Sequence, residues 1–185
     1  MTEQENLQRF KDLGVVRTGH FLRTSGRHAD GYVQCARLFE RPDCAEKYCR
    51  ELAEQCRGFN AQKVMSAAIG GLLAGYEVSR LLGLAHIYCE RRDGAMTLRR
   101  GFLVKPGERI LLIEDEVTTG SSVREMMEIV RALGGVTAGI GCIVDKSGGS
   151  LRFDAPMHAL LTFKVESWRE NACPLCEQKL PLDRI

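Results

Sequence analysis

Two adjacent carboxylates, Glu114 and Asp115, are followed by a run of hydroxyls and one glycine in the segment "IEDEVTTGSSVRE". Free backbone amides at a helix start, with hydroxyls from Thr118, Thr119, Ser121 and Ser122, suit a phosphate group, because unpaired N–H donors and the positive end of the helix dipole converge there. Two carboxylates beside such a cradle would repel the anion itself. Their natural targets are a neutral diol or a phosphate-bound Mg²⁺, and the pattern reads as a grip for ribose 5-phosphate. The elements that must position it are legible on either side. Ile110 to Ile113 is an apolar run that predicts a strand ending at the acidic pair, and Val123, Met126, Met127, Val130 and Leu133 recur at helical spacing until Gly134-Gly135.

Other anion-binding turns do not fit. No G-x-x-x-x-G-K-[ST] occurs, and no lysine follows the glycine of this loop, which excludes a nucleoside-triphosphate P-loop. G-x-G-x-x-G is absent after the strand, so a dinucleotide-binding turn fails as well. A strand-turn-helix that uses Thr, Gly and Ser only for capping is the plainer alternative.

Two further loops carry chemistry. In "SAAIGGLLAG" (66–75), small residues including Ala68, Gly70 and Gly71 let a backbone approach a ligand closely, or pack a helix tightly on a sheet. In "ERRDGAMTLRRG" (90–101), Arg91, Arg92, Arg99 and Arg100 concentrate the positive charge that a departing pyrophosphate needs, and Gly94 and Gly101 are placed to let this loop open and close. Near the C-terminus, Cys173 and Cys176 in "CPLC" have metal-ligand spacing, but one pair is half a zinc site. A reduced structural pair is the favoured reading. His20, His28, His86 and His158 are expected as structural residues rather than ligands.

Helical and strand patterns alternate along the chain. A short N-terminal helix carries Leu7, Phe10 and Leu13; Pro42 opens a helix with Ala45, Tyr48, Cys49, Leu52 and Cys56 on one face; strands are expected near 63–66, 84–89, 110–113, 136–144 and 158–165. Such alternation argues for an α/β fold with a mostly parallel sheet flanked by helices. Phe102 to Val104 and Ile110 to Ile113 flank Pro106-Gly107, which predicts a local antiparallel pairing. The 185 residues, 44% hydrophobic, suffice for one core. A net charge of +2 gives no general drive toward nucleic acid or membrane. No apolar run spans a bilayer, "MTEQENLQRF" lacks the pattern of a signal peptide, and a cytoplasmic protein is expected. In that compartment most of the eight cysteines read as small buried hydrophobes rather than disulfides.

Taken in order, "GHFLRTSGRHADGYVQ", "AAIGGLLAGYEVSRLLG", "ERRDGAMTLRRGF", "IEDEVTTGSSVRE" and "CPLC" span nearly the whole chain. Together they resemble one bacterial branch of the orotate phosphoribosyltransferase family, a type I phosphoribosyltransferase. The resemblance implies a single domain over 1–185, with a core at about 41–165 and a small hood from about 1–40 and 166–185. It also implies transfer of a 5-phosphoribosyl group from phosphoribosyl diphosphate to orotate in pyrimidine synthesis, dependence on Mg²⁺, and a homodimer whose mobile loops reach neighbouring sites.

Carried onto this chain, the family pattern places phosphoribosyl diphosphate on Ala68, Gly70, Gly71, Arg91, Arg92, Glu114, Asp115, Glu116, Val117, Thr118, Thr119, Gly120, Ser121 and Ser122. Orotate would meet Ser25, Gly26, Arg27, Thr118 and Lys146, and catalysis would fall to Arg91, Arg92, Arg99, Arg100 and Asp115. Mg²⁺ would be held mainly by the substrate diphosphate, with Asp115 as a candidate protein ligand. The chain departs from the pattern in four places: the arginine loop is short and has no lysine, Glu116 replaces an apolar residue, Ser121 replaces glycine, and Lys146 replaces arginine. These departures leave open a phosphoribosyltransferase for another base, or a non-catalytic regulator that binds phosphoribosyl diphosphate.

Overall fold

The computed structural model describes residues 3–185; Met1 and Thr2, the start of the "MTEQENLQRF" segment, lie outside the described residues. A six-stranded sheet forms the centre, in the spatial order β5-β4-β3-β6-β7-β8. Its strands are β3 (Lys63–Ala67), β4 (Ala85–Arg92), β5 (Ala95–Leu98), β6 (Arg109–Val117), β7 (Val136–Asp145) and β8 (Met157–Thr162). Every neighbouring pair is parallel except β4 with β5.

The apolar run of β6 shows why a parallel centre is required. Leu111 and Ile113 enter a core shared with Tyr48, Cys49 and Leu52, whereas Ile110 and Leu112 enter a second core shared with Val123, Met126 and Val130. Alternate side chains are buried on both faces, so no position can be polar until the strand emerges. Helices α3 (Pro42–Cys56) and α4 (Gly70–Leu82) cover the first face, and α5 (Ser121–Ala132) covers the second. Pro42 occupies the first turn of α3, and the buried Ala45, Tyr48, Cys49, Leu52, Ala53 and Cys56 follow at helical spacing. Helix α1 (Glu3–Asp12) adds Phe10, whose buried ring meets Tyr48 edge-on at 5.0 Å.

A second sheet of four strands stands apart from the first, in the order β10-β1-β2-β9. The strands β1 (Val16–Leu22) and β2 (His28–Val33) form an antiparallel hairpin, extended by β9 (Ser167–Trp168) and β10 (Leu182–Arg184) from the other end of the chain. Short helices α2 (Ala36–Phe39) and α6 (Pro174–Glu177) and single 3-10 turns at Arg57–Phe59 and Glu170–Ala172 complete the described elements. Among the described residues, no helix is long and apolar enough to cross a membrane.

Three local expectations are corrected. Strand β6 continues through Glu114, Asp115 and Glu116 to Val117, because β7 keeps pairing with it as far as Val117↔Asp145. The arginine loop is an ordered hairpin, since β4 runs on to Arg92 and turns at Asp93-Gly94 into β5; both turn residues have positive φ. That hairpin supplies the local antiparallel pairing, and Phe102 to Val104 forms no strand.

Candidate active site

In an open sheet, ligands collect beyond the carboxyl ends of strands where the strand order reverses direction. Here that place lies between β3 and β6, because the chain proceeds outward from β3 to β4 and then returns to β6 on the other side. The loops after β3 and β6 therefore face one another, and they carry the glycine pair and the Thr-Thr-Gly turn.

The two loops fit closely. A Cβ built at Gly70 would stand 2.7 Å from Asp115 Oδ1, and one at Gly71 would stand 3.1 Å from Glu114 Oε2. No side chain other than hydrogen fits between the start of α4 and the acidic pair. Gly75, further along α4, is tight for a different reason: its Cβ would strike Ser66 at 2.6 Å, where the Ser66 hydroxyl and His86 Nε2 lie 2.8 Å apart. The segment 66–75 thus serves both readings, with Gly70 and Gly71 at the carboxylates and Gly75 in helix-to-sheet packing.

After β6, a cleft is lined by Glu114, Glu116 and Val117 to Val123. Gly120 is the residue before α5 and has φ +76°, a conformation glycine adopts at little cost. The Thr119 and Ser121 hydroxyls lie 3.1 Å apart, and the Ser121 amide donates to Thr119 Oγ1 at 3.4 Å. Ser121 thus belongs to the hydroxyl lining of the turn, at the first position of α5. Arg124 donates to Thr119 O at 2.9 Å and rests over the Phe153 ring, which braces the turn from outside.

The acidic residues sit in different surroundings. Glu114 is buried, and burial together with the neighbouring Asp115 pushes its carboxyl up to about 8. Asp115 is partly exposed, and its backbone carbonyl accepts from the buried Cys35 thiol at 3.3 Å. Burial raises Glu116 as well, against the opposing pull of Lys146, whose ammonium lies 2.6 Å from Glu116 Oε2. Arg23, in the β1–β2 connection, adds a smaller pull on the same carboxylate. Sequence reasoning passed over Arg23; its place in the same turn as Ser25, Gly26 and Arg27 was the available signal. Asp145, 1% exposed, accepts from the amides of Ser147 at 2.8 Å and Gly149 at 3.1 Å, fixing the backbone that follows Lys146.

Ala68 lies in the β3–α4 connection, its amide donating to Cys89 O at 2.7 Å. Ser25 and Gly26 form the tip of the β1–β2 turn, closed by Gly26 N to Arg23 O at 2.8 Å, and Arg27 donates to Ser167 O at 2.6 Å, tying that turn to β9. Lys146 does not present an unpaired cation, since Glu116 already accepts from it. The four loop arginines are also paired: Arg91 donates to Glu125 at 2.6 and 3.0 Å, Arg99 and Arg100 meet Glu90 at 3.5 and 3.0 Å, and Arg92 lies 3.6 Å from Asp93. His86 meets the Ser66 hydroxyl, and exposed His158 is stacked on Phe59. The half-site at Cys173 and Cys176 is corrected: His20 stands against both thiols and His28 against that of Cys176, so four donors meet where two were expected.

This sheet, with its acidic strand end and hydroxyl-lined turn, is the phosphoribosyltransferase architecture. Solved structures share it: an orotate phosphoribosyltransferase from Aeropyrum pernix matches with TM-score 0.69 at 23% identity, covering 84% of this chain and 92% of that one. An adenine phosphoribosyltransferase from Rhodothermus marinus also gives TM-score 0.69, at 15% identity over 86% of this chain and 99% of that one. At these identities the likeness concerns the fold alone. No family model matches the sequence. Sequence likeness decides among the members: the orotate phosphoribosyltransferase of Pelotomaculum thermopropionicum is 46% identical over 181 residues, 98% of this chain and 95% of its own. The chain belongs to the orotate phosphoribosyltransferase family.

Proposed function

We propose that this protein transfers the 5-phosphoribosyl group of phosphoribosyl diphosphate to orotate, releasing pyrophosphate and forming orotidine 5′-monophosphate for pyrimidine synthesis. The observation that carries the reading is the apposition of Gly70 and Gly71 to the Glu114–Asp115 pair above the Thr118–Ser122 turn, in a chain 46% identical to a named family member. In this reading the turn holds the 5-phosphate, Glu114 and Asp115 hold the ribose hydroxyls, and the Ala68 to Gly71 backbone borders the diphosphate.

Mg²⁺ fits the donor set. Partly exposed Asp115 offers hard oxygen ligands beside an anion cradle, and a metal usually keeps several waters in such sites while bridging substrate phosphates. Asp115 would hold it together with the diphosphate, and the metal would supply charge neutralisation of the leaving group. The residues of the chain do the rest. Orotate is already anionic, so positioning and cationic stabilisation outweigh general-base chemistry. Lys146 and Arg23 supply positive potential near Glu116, and the turn at Ser25, Gly26 and Arg27 covers the base.

The β4–β5 hairpin carries Arg91 and Arg92, and the residues just after it carry Arg99 and Arg100, for the departing diphosphate. As the resemblance implies, we assign these arginines to the site of a second subunit in a homodimer. A hood formed by about 1–40 and 166–185 over a core at 41–165 and a cytoplasmic setting belong to the same proposal.

The test is pyrophosphate release from phosphoribosyl diphosphate and Mg²⁺ with orotate, uracil and purine bases in turn. Turnover confined to orotate supports the proposal. Turnover confined to another base would instead follow from the Lys146–Glu116 pair, and tight binding without turnover would make the protein a regulator.

A further inference from the structure

Four metal-ligating side chains converge in the second sheet, remote in sequence from the acidic strand end. His20 lies on β1, His28 on β2, Cys173 immediately precedes α6 and Cys176 lies within it. One donor atom from each falls within 4.8 Å of all the others. His20, His28 and Cys173 are buried at 4%, 3% and 1% exposure. We propose that these residues form a closed structural zinc site of the Cys₂His₂ type.

Geometry carries the assignment. Tetrahedral zinc with its usual bond lengths sets nitrogen–sulfur edges of about 3.5 Å and a nitrogen–nitrogen edge of about 3.3 Å. Cys173 Sγ lies 3.5 Å from His20 Nε2, and Cys176 Sγ lies 3.7 Å from His20 Nε2 and 3.2 Å from His28 Nδ1. The two imidazole nitrogens face one another at 2.8 Å, half an ångström or so inside the metal-bound edge, and slight separation admits the ion. The proton inventory agrees. Leu180 O accepts from His20 Nδ1 at 3.0 Å, and since a carbonyl cannot donate, the proton sits on Nδ1 and the Nε2 lone pair points into the cluster. A carbonyl behind a ligating histidine is the usual means of fixing its tautomer and ring orientation. The ligand set is complete within one chain and needs no fourth group from water, which marks a structural rather than a catalytic metal.

The placement gives the metal a task. His20 and His28 stand at the two feet of the connection that carries Arg23, Ser25, Gly26 and Arg27, while the cysteines belong to the C-terminal segment that supplies the three-residue β10. Strands as short as β9 and β10 hold little stability of their own. Zinc would clamp the C-terminal segment to the β1–β2 hairpin and fix the hairpin's tip. The metal assignment does not depend on the proposed reaction, because it is read from metal content.

Untagged full-length protein, purified under reducing conditions without added zinc or chelator, is analysed for metal by mass spectrometry. About one zinc per chain is expected, as for a four-ligand closed site. The C173S/C176S double variant should lose it, while Cys44→Ser, at a thiol outside the cluster, should retain it. Where the double variant fails to fold, wild-type protein exchanged with Co²⁺ provides the second reading: thiolate-to-cobalt charge transfer and tetrahedral ligand-field bands. Zinc retained by a folded double variant, or wild-type protein that neither contains zinc nor takes up equimolar Zn²⁺ or Co²⁺ after reduction, overturns the proposal.

Discussion

The Lys146 ammonium donates to the Glu116 carboxylate at 2.6 Å, joining the ends of the adjacent strands β7 and β6 beside the candidate base pocket. Lysine has three donors, and this bond uses one of them. The pair accounts for two of the four departures from the family pattern, because each answers the other: a carboxylate that would weaken anion binding is matched by the cation next to it. Lys146→Ala should raise KM for orotate about tenfold or more, the worth of one charge-assisted hydrogen bond, while KM for phosphoribosyl diphosphate changes little. Glu116→Gln, which releases the ammonium, should not raise it. Steady-state kinetics on both variants checks the pair, and orotate binding unchanged in Lys146→Ala removes Lys146 from the pocket.

Gly70 and Gly71 set the distance between the start of α4 and the acidic pair. A methyl group at Gly70 would lie 2.7 to 2.9 Å from the Asp115 carboxyl atoms, so either the helix or the carboxylate must move. Gly70→Ala should lower kcat/KM for phosphoribosyl diphosphate by about a hundredfold, since misplacement near 1 Å has that effect on a positioned group. Gly58→Ala, with nothing within 4 Å of its Cβ, serves as the neutral control. Equal kinetics in Gly70→Ala and Gly58→Ala would show that the close approach has no bearing on the sugar.

The central sheet was legible because burial on both faces writes itself into β6 as an uninterrupted apolar run, and because α3 and α5 repeat their apolar residues at helical spacing. The phosphate turn was legible from residue types alone. The β1–β2 hairpin was not, since "VRTGHFL" and "HADGYV" contain glycines and polar residues that propensity assigns to loops. What orders them is pairing with β9 and β10, more than 130 positions away in sequence, as in Ala29↔Ser167 and His20↔Leu182. The same separation hid the cysteine–histidine cluster. Charge pairing was equally invisible: Glu125, which holds Arg91, is one of two acidic residues on α5, and only the fold turns it toward the hairpin.

Glu114 gives the protein a pH dependence of definite sign. Its carboxyl titrates near 8 in the folded chain, against 4.5 as the ordinary value, so between those limits the folded state binds more protons than the unfolded one. Stability from this group is complete below about 4.5 and is lost as pH rises through about 8. Glu114→Gln cannot ionise, so its unfolding midpoint in urea should gain on that of the natural protein as pH rises from 5 to about 8.5. Binding of Mg²⁺ and phosphoribosyl diphosphate, which needs the ionised pair, should release protons near pH 7, seen by calorimetry in buffers of different ionisation enthalpy. A stability difference that stays flat across the range contradicts the buried proton.

Arg92 is the hairpin arginine with the weakest hold, 3.6 Å from Asp93 and 64% exposed, whereas Arg91 is clasped by Glu125. It is therefore the freest to meet a departing diphosphate. Arg92→Ala should lower turnover about a hundredfold or more through lost transition-state charge stabilisation, and leave the melting temperature within about 1 °C, as exposed substitutions do. Mixing locates its site of action. If the hairpin serves a second subunit, Arg92→Ala combined with Asp115→Asn forms dimers in which one site has both a complete acidic pair and a complete hairpin. Activity should then recover to about a quarter of normal, because half the dimers are mixed and each restores one site of two. Recovery absent from verified mixed dimers would place the arginine at its own subunit's site.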